Sequence, residues 1–247
     1  MTDMSAERPG PSGQALAGRA GRSGARAALL VLADGRLPAG GHAHSGGMEA
    51  AIVDGGIRGL DDLAGFLRGR LTTAGLLSAA FAAAACEASQ DGELLAALDA
   101  ELDARTPSPA QRDASRAQGR TLLRAGRAAW DLAGAALPAA PHHPVALGVV
   151  AAAAGLEPAD AALVACYGAV SGPASAATRL LGLDPLAVTG MQARLAMELE
   201  NVAATATAAA AAAIAAGSPD LLPAPSAVRL DLLAERHRAA PVRMFTS

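Results

Sequence analysis

One glycine-rich stretch organises this chain: Asp34-Gly35-Arg36-Leu37-Pro38-Ala39-Gly40-Gly41-His42-Ala43-His44-Ser45-Gly46-Gly47-Met48-Glu49. It contains five glycines, one proline and two of the protein's five histidines, and no run in it could form a stable helix or strand. Segments with helical patterns occupy nearly everything that follows. Ordering a glycine costs backbone entropy, so a glycine-dense turn at the head of a helical protein indicates a positional role. Catalysis, metal binding and protein docking are all compatible with such a role.

The composition predicts an all-α fold. Of the 247 residues, 52% are hydrophobic but only 2% are aromatic, so alanine, leucine and valine must build the core. Alanine buries little area and lets backbones approach closely, which favours helix-on-helix packing over a β-sandwich. No stretch alternates convincingly with a period of two. We expect a single-domain multi-helix bundle of roughly eight to ten helices of ordinary length.

Composition also divides the chain into three parts. Residues 1–26 are rich in Gly, Ser, Arg and Pro, which predicts a disordered tail. The helical domain is expected over residues 27–220. The remaining segment, 221–247, has a helical centre around Arg229 to Arg236 and an extended end that contains Phe245. An aromatic side chain at an otherwise polar end is expected to be buried against something, in the same chain or on another.

Two consecutive helices and one helix start stand out within the domain. Leu76 to Ala88 is apolar nearly all round and is predicted to be a buried central helix, separate from the one that Asp61 and Asp62 open. Ser108-Pro109-Ala110-Gln111 predicts a helix start in which Ser108 caps the helix and Gln111 reaches back to the cap.

Prolines and glycines predict the boundaries of two later helices. Pro158 starts a helix that is expected to run to about Val170, with a turn at Gly172-Pro173. Asp184-Pro185 starts a long helix that Gly217 ends.

The ionic composition excludes several functions. All 20 basic residues are arginine, and the sequence contains no lysine. Because both need a lysine, neither a Walker A loop nor a lysine Schiff base is possible. Any nucleotide-driven work would therefore need a partner that holds the nucleotide. The net charge of −3 does not indicate bulk attraction to nucleic acid or anionic lipid. Two isolated cysteines, Cys86 and Cys166, are expected to be buried free thiols in a reducing cytoplasm. We recognise no signal peptide, and the apolar run from Val202 to Ala216 is short for a membrane span.

Histidines are the weak candidates for a metal site. His42 and His44 can face one ion only in an extended chain, and Glu49 is near, but further ligands with familiar spacing are missing. A polar loop or interface pair is the alternative.

Ser45 and Ser171 lack the context of a nucleophilic serine. The paired carboxylates Asp61-Asp62 and Glu198 with Glu200 are interpreted as helix capping and a solvated face.

A basic ridge follows one face of the helix that starts at Ser108. It consists of arginines four residues apart, Arg112, Arg116, Arg120 and Arg124. The ridge could meet an acidic partner or a phosphate backbone, or it could be a solvated, ion-paired face. Beside it, Ser115 and Gly119 leave room for a neighbouring helix to approach closely. Taken alone, the residues indicate a helical interaction protein rather than an enzyme.

The glycine-rich stretch also carries a resemblance. Leu37-Pro38-Ala39-Gly40-Gly41 followed by Ser45, Gly46 and Glu49 is similar to the N-terminal signature of the UreF family of urease accessory proteins. Four further blocks come in that family's order: Arg112-x-x-Ser115-x-x-Gln118-Gly119-Arg120; His143-Pro144-Val145 with Gly148; Ser175-Ala176-Ala177-x-Arg179-Leu180 with Gln192; and His237 with Arg243-Met244-Phe245-x-Ser247. The chain departs from the family pattern at His42, Met48, Gly182-Leu183-Asp184-Pro185 and Arg238, and so resembles a divergent member.

The resemblance implies an all-α, non-enzymatic scaffold without a cofactor. Proteins of this family form a dimer, bind the accessory protein UreD (also called UreH) and recruit the GTPase UreG, and the assembly delivers nickel to urease in the cytoplasm. By resemblance, 221–247 is a partner-docking segment. Partner-binding residues would then be Arg112, Ser115, Arg120, His237, Arg243 and Phe245, and the structural turn would use Pro38, Gly40, Gly41, Ser45 and Gly46. The alternatives are a nickel-binding protein that uses His42 and His44, or a helical nucleic-acid binder that uses the arginine ridge.

Overall fold

The computed structural model describes residues 24–132 and 137–247, and these residues form helices and no β-strand. The predicted all-α fold is thus confirmed. The ten helices of the described residues are α1 Gly24–Ala33, α2 Met48–Val53, α3 Leu60–Glu87, α4 Gly92–Ala104, α5 Pro109–Ala129, α6 His143–Ala153, α7 Pro158–Leu181, α8 Pro185–Arg194, α9 Ala196–Ala215 and α10 Val228–Ala239. Of the tail predicted over 1–26, residues 1–23 lie outside the described residues, and residues 24–26 already belong to α1.

The C-terminal half of α3 is the centre of the bundle. Phe81 and the alanines on both sides of it are fully buried, and this half packs against α6, α7 and α9. Gly148 of α6 lies against the main chain of α3, where a Cβ would overlap the carbonyl oxygen of Ala82. Small side chains therefore bring helix backbones together here, as the alanine-rich composition predicts. By length and composition α3 could also cross a membrane, but 56% of its apolar window is buried inside the protein, as in a core helix.

The separation predicted between the helix opened by Asp61 and the one starting at Leu76 is wrong. A π-helical turn, Leu71–Gly75, joins the two parts into one helix. Hydroxyl groups stabilise the turn, since Thr72 Oγ1 donates to the Arg68 carbonyl at 3.0 Å and Thr73 Oγ1 to the Gly69 carbonyl at 2.7 Å. No proline interrupts the chain here, and Gly75 keeps helical dihedral angles.

The turn predicted at Gly172-Pro173 is also wrong, because α7 continues through both residues to Leu181. Proline lacks the N–H that would bond to the carbonyl four residues earlier, which is that of Ala169. Arg70 satisfies this carbonyl instead, with Nε donating to it at 3.1 Å. A side chain from α3 thus replaces the hydrogen bond that proline removes.

The long helix predicted from Asp184-Pro185 to Gly217 is divided at Leu195. The start is as expected, since the Asp184 side chain accepts from the Leu186 N–H at 3.0 Å. Leu195 is fully buried and separates α8 from α9. Past the end of α9, Gly217 takes the left-handed conformation with φ 62°.

Of the two contacts predicted for the helix start at Ser108, one is present. Ser108 Oγ accepts from the Gln111 N–H at 3.2 Å, but the Gln111 side chain does not return to the cap. It donates instead to Asp231 of α10 at 3.2 Å. Glu235 of α10 accepts from Ser108 Oγ at 2.5 Å and from the Ala110 N–H at 2.9 Å. Two carboxylates of α10 therefore hold that helix against the N-terminus of α5.

Candidate docking site at the C-terminal tail

The glycine turn, residues 34–47, links α1 to α2 in a shape that requires glycine. Gly40, Gly46 and Gly47 all have positive φ, at 81°, 62° and 88°. A Cβ on Gly46 would lie 2.9 Å from the Pro173 ring and 3.1 Å from the Arg70 guanidinium. Ser45 is fully buried, whereas Pro38 and Gly41 are exposed. The inner wall of the turn thus faces α3 and α7, and its outer edge faces solvent.

The C-terminal tail, residues 240–247, lies along this turn. The Thr246 N–H donates to the Ala43 carbonyl at 2.7 Å, and the Ser45 N–H donates to the main-chain oxygen of Ser247 at 2.5 Å. Side chains add to the pairing: Ser45 Oγ donates to the same Ser247 oxygen at 3.0 Å, and His44 Nδ1 lies 2.6 Å from Ser247 Oγ. The first and last parts of the described domain therefore form one surface.

Glu49, in the first turn of α2, fixes the tail further. Its carboxylate accepts from the main-chain N–H groups of Met244 and Phe245 at 2.7 and 2.9 Å, and from His237 Nε2 at 2.8 Å. Burial raises the pKa of Glu49, but the Met244 N–H, the His237 ring and the Phe245 N–H together hold it below its usual value. The side chain is only 12% exposed, so these donors act in a poorly solvated setting.

The tail has an inner and an outer face. Phe245 points inward and is 6% exposed, with the Arg179 guanidinium of α7 at 5.0 Å from its ring centre. The aromatic side chain is thus buried in the same chain. Val242, Arg243 and Met244 face solvent, and Val242 and Met244 are 86% and 70% exposed.

Helix α10 extends the exposed side of the tail. His237 is buried against Glu49, and Arg236 pairs with Asp54 at 2.8 Å. Val228 and Leu232 of the same helix are 61% and 56% exposed. The tail and α10 together expose four large apolar side chains, those of Val228, Leu232, Val242 and Met244.

The predicted arginine ridge is divided in the structure. Arg112 donates to the carbonyls of Thr106 and Pro107, and Arg116 pairs with Asp99 and Asp103 at 2.9 and 2.7 Å. Arg120 and Arg124 are exposed. One half of the ridge is therefore an internal ion-paired network, and only the other half presents charge to solvent.

Ser115 and Gly119 admit the chain that leads into α6. A Cβ on Gly119 would overlap the carbonyl oxygen of Pro141. Ser115 Oγ accepts from the His143 N–H at 3.1 Å and lies 3.0 Å from His142 Nδ1. His142 is fully buried, and its other nitrogen lies 3.0 Å from Asp103. Burial is the main reason why the pKa of His142 is lowered.

The remaining sequence candidates are dispersed. His42 is exposed, His44 is bonded to Ser247, and the described residues hold no group of three or more side chains that suits a metal ion. Glu198 pairs on the surface with Arg68 at 3.0 Å. Burial raises the pKa of both Cys86 and Cys166 to about 12, so these thiols are unreactive.

Two parts of this arrangement were not predicted from the sequence. Glu49 appeared only as a neighbour of the histidines, and its three donors come from the far end of the chain. Asp99 is 6% exposed and accepts from the His142 N–H at 2.7 Å. The sequence does contain a signal for Asp99: it is an acidic residue on the apolar face of the helix that carries Leu95, Leu98 and Leu102.

Comparison with known proteins gives a consistent result. A family model described as UreF matches residues 57–196. The chain is 46% identical to a urease accessory protein UreF of Mycobacterium sp. (strain JLS), over 89% of this chain and 97% of that protein. It is 46% identical to the UreF of Mycobacterium marinum and 45% identical to that of Mycobacterium tuberculosis, in both cases over 90% of this chain and 98% of the relative.

Proposed function

The chain belongs to the UreF family of urease accessory proteins, and from this premise we propose that it is a non-enzymatic scaffold that bridges UreD (UreH) and the GTPase UreG. In this role it promotes insertion of nickel into the urease active site, in the cytoplasm and as a homodimer within the complex. Nickel is the cargo of the assembly. The absence of lysine agrees with a division of labour in which UreG holds the nucleotide.

The ordered tail is the observation that carries the proposal. The main chain of Met244 and Phe245 is fixed by Glu49, while the side chain of Met244 is 70% exposed. A segment whose backbone is fixed but whose apolar side chains face water is pre-organised for a partner, because little conformational entropy is lost on binding. Arg243 is exposed in the same segment and adds a charged group to that surface.

The remaining family-derived residues support the docking surface in different ways. His237 and Phe245 are buried, so they act by holding the tail in place. Ser115 accepts from the His143 N–H at the start of α6, and Arg112 donates to the carbonyls of Thr106 and Pro107 ahead of α5, so both act within the protein. Arg120 is exposed and stays a candidate for direct contact with a partner.

The arrangement does not favour the two alternatives. A nickel site on His42 and His44 would have to free His44 from Ser247, since Nδ1 lies 2.6 Å from the Ser247 hydroxyl. A nucleic-acid site on the arginine ridge would have to displace Asp99 and Asp103 from Arg116. Binding to phosphates along the whole ridge is therefore opposed by carboxylates already in place.

Pull-down from a co-expression system tests the proposal. The tagged chain should co-purify with UreD and UreG, and deletion of residues 241–247 should abolish recovery of UreG. Met244→Glu should reduce recovery at least tenfold, because a charge replaces an exposed methionine at the contact, while the melting temperature stays the same. Leu186→Glu is the matched control, since Leu186 is 81% exposed on α8 and lies outside the tail.

The control variant should recover UreG as the unchanged protein does. Full recovery of UreG by the truncated chain would show that the tail is not the docking element. Equal losses in Met244→Glu and Leu186→Glu would show that added negative charge, rather than the surface, causes the effect.

A further inference from the structure

A cavity of about 350 Å³ lies between the glycine turn, α3, α5, α6, α7 and α10. Its volume falls at the lower end of the range for small-molecule sites. Most of its wall is aliphatic and includes Leu77, Leu122, Leu147, Val164 and Leu230. The docking role proposed above does not use this space.

Arg70 is the cation that lines the cavity. Its Nε is used by the Ala169 carbonyl, and no acceptor among the described residues takes a hydrogen bond from its two Nη nitrogens. Every buried side-chain nitrogen and oxygen of those residues has a partner, so the two Nη groups must be accessible. Arg70 lines the cavity, and a Cβ on Gly46, another lining residue, would lie 3.1 Å from one of the Arg70 Nη nitrogens, which places this end of the guanidinium at the cavity wall.

No carboxylate of the described residues neutralises Arg70. The acid that lines the cavity, Asp34, is paired with Arg36 at 2.8 Å. Burial alone lowers the pKa of Arg70 to about 10, so the guanidinium remains charged at neutral pH. A partly buried cation with free donors is expensive to maintain unless an anion offsets its desolvation.

Two histidines of the cavity wall add no positive charge to that of Arg70. His44 and His143 line it, and burial lowers the pKa of both, that of His143 to about 4. Both rings are therefore neutral at pH 7. Besides Asp34, which is paired with Arg36, and His237, which is bonded to Glu49, the cavity offers one planar cation, neutral hydrogen-bonding groups and a large apolar wall.

We propose that this cavity binds a small organic carboxylate, whose two oxygens accept from the Nη groups of Arg70 and whose apolar body packs against the aliphatic wall. The planar guanidinium matches a carboxylate in a two-point contact. The apolar wall favours an acid with a short hydrocarbon part over a bare inorganic anion. The carboxyl group is the specific element, and the hydrocarbon part supplies affinity.

Titration of the intact protein with sodium butyrate, acetate and inorganic phosphate at constant ionic strength tests the site. Chemical shifts of the Gly46 and Gly168 amides, which line the cavity, report binding, with Gly217 as a distant reference. We expect saturable shifts with butyrate and roughly tenfold weaker binding of acetate, because acetate buries two fewer CH₂ groups. Arg70→Gln should abolish the shifts.

Arg68→Gln is the matched control, since Arg68 lies on the same helix but pairs with Glu198 at the surface. It should bind butyrate as the unchanged protein does. Arg70→Lys, which keeps the charge and loses the planar fork, should bind several-fold more weakly. Absence of saturable shifts in the unchanged protein overturns the proposal whatever the variants do, and binding of phosphate alone overturns the assignment to a carboxylate. The docking proposal is tested at Met244, outside the cavity, so the two can fail separately.

Discussion

Glu49 is the residue that determines where the C-terminal tail lies. It accepts from two consecutive main-chain N–H groups and from His237, and no other side chain of the described residues bonds to the N–H groups of Met244 and Phe245. Hydrogen bonds to a charged acceptor are stronger than those to a neutral one. The tail is therefore held by one carboxylate and by the main-chain pairing with the glycine turn.

Replacing Glu49 by Gln should release the tail. The amide has one acceptor oxygen instead of two, and its NH₂ group would face N–H donors, so we expect a local loss of about 2 kcal/mol. Amide hydrogen exchange at Met244, Phe245 and Thr246 should become roughly 30-fold faster. Glu198→Gln is the control, because that exposed pair with Arg68 contributes at most about 1 kcal/mol. Unchanged exchange in the Glu49 variant would show that the main-chain pairing alone holds the tail.

Sequence reasoning predicted the burial of Phe245 but not the hydrogen bonds of Glu49. A phenylalanine at a polar end predicts burial by its own chemistry, and Phe245 is buried. The role of Glu49 depends on a partner nearly 200 residues away, which periodicity and spacing do not report. Local patterns encode what a side chain needs, whereas long-range pairing depends on the fold.

At the scale of elements, the contact between α3 and α6 depends on Gly148. A Cβ there would overlap the Ala82 carbonyl oxygen and would lie 2.6 Å from the Cys86 nitrogen and 2.7 Å from the Ala85 Cβ. All of these atoms belong to α3, and its main chain cannot move without shifting α7 and α9, which pack on the same helix. The two backbones can therefore approach this closely only because Gly148 has no Cβ.

Gly148→Ala should therefore destabilise the protein, although alanine is the better helix former. We expect a loss of roughly 1–3 kcal/mol from overpacking, measured by urea denaturation. Gly65→Ala on the exposed side of α3 is the matched control, because nothing lies within 4 Å of its Cβ position. This control should gain about 0.5–1 kcal/mol from helix propensity. A gain in both variants would mean that α3 and α6 separate without cost.

The helix boundaries show where sequence signals fail at this scale. Pro173 is a strong breaker in isolation, but Arg70 supplies the hydrogen bond that proline removes, so α7 continues. Leu195 carries no stop signal, yet the chain divides there with the side chain in the core. Local propensity decides a boundary only where no tertiary contact supplies a substitute.

At the scale of the whole molecule, neutral histidines are built into the interior. Burial lowers the pKa values of His44, His142 and His143, and only His142 has carboxylates that counteract the effect. For His143 the pKa falls from 6.5 to about 4, through burial and then the proximity of His44. Between these two values the unfolded chain binds a proton that the folded protein does not. Stability must therefore decrease as the pH falls through this window.

Acid denaturation should reveal this coupling. Through His143 alone, the free energy of unfolding is expected to drop by about 2 kcal/mol between pH 7 and pH 5. The pKa of the Glu49 carboxylate is lowered by folding, so this group adds a further loss of stability below about pH 4.5. Urea denaturation of His143→Gln at both pH values should show a correspondingly smaller drop, whatever its stability at pH 7. His42→Gln, at an exposed histidine of the glycine turn, should keep the drop of the unchanged protein. If the drop in His143→Gln equals that of the unchanged protein, the folded protein must admit solvent to the cavity lined by His143 and protonate the ring without unfolding.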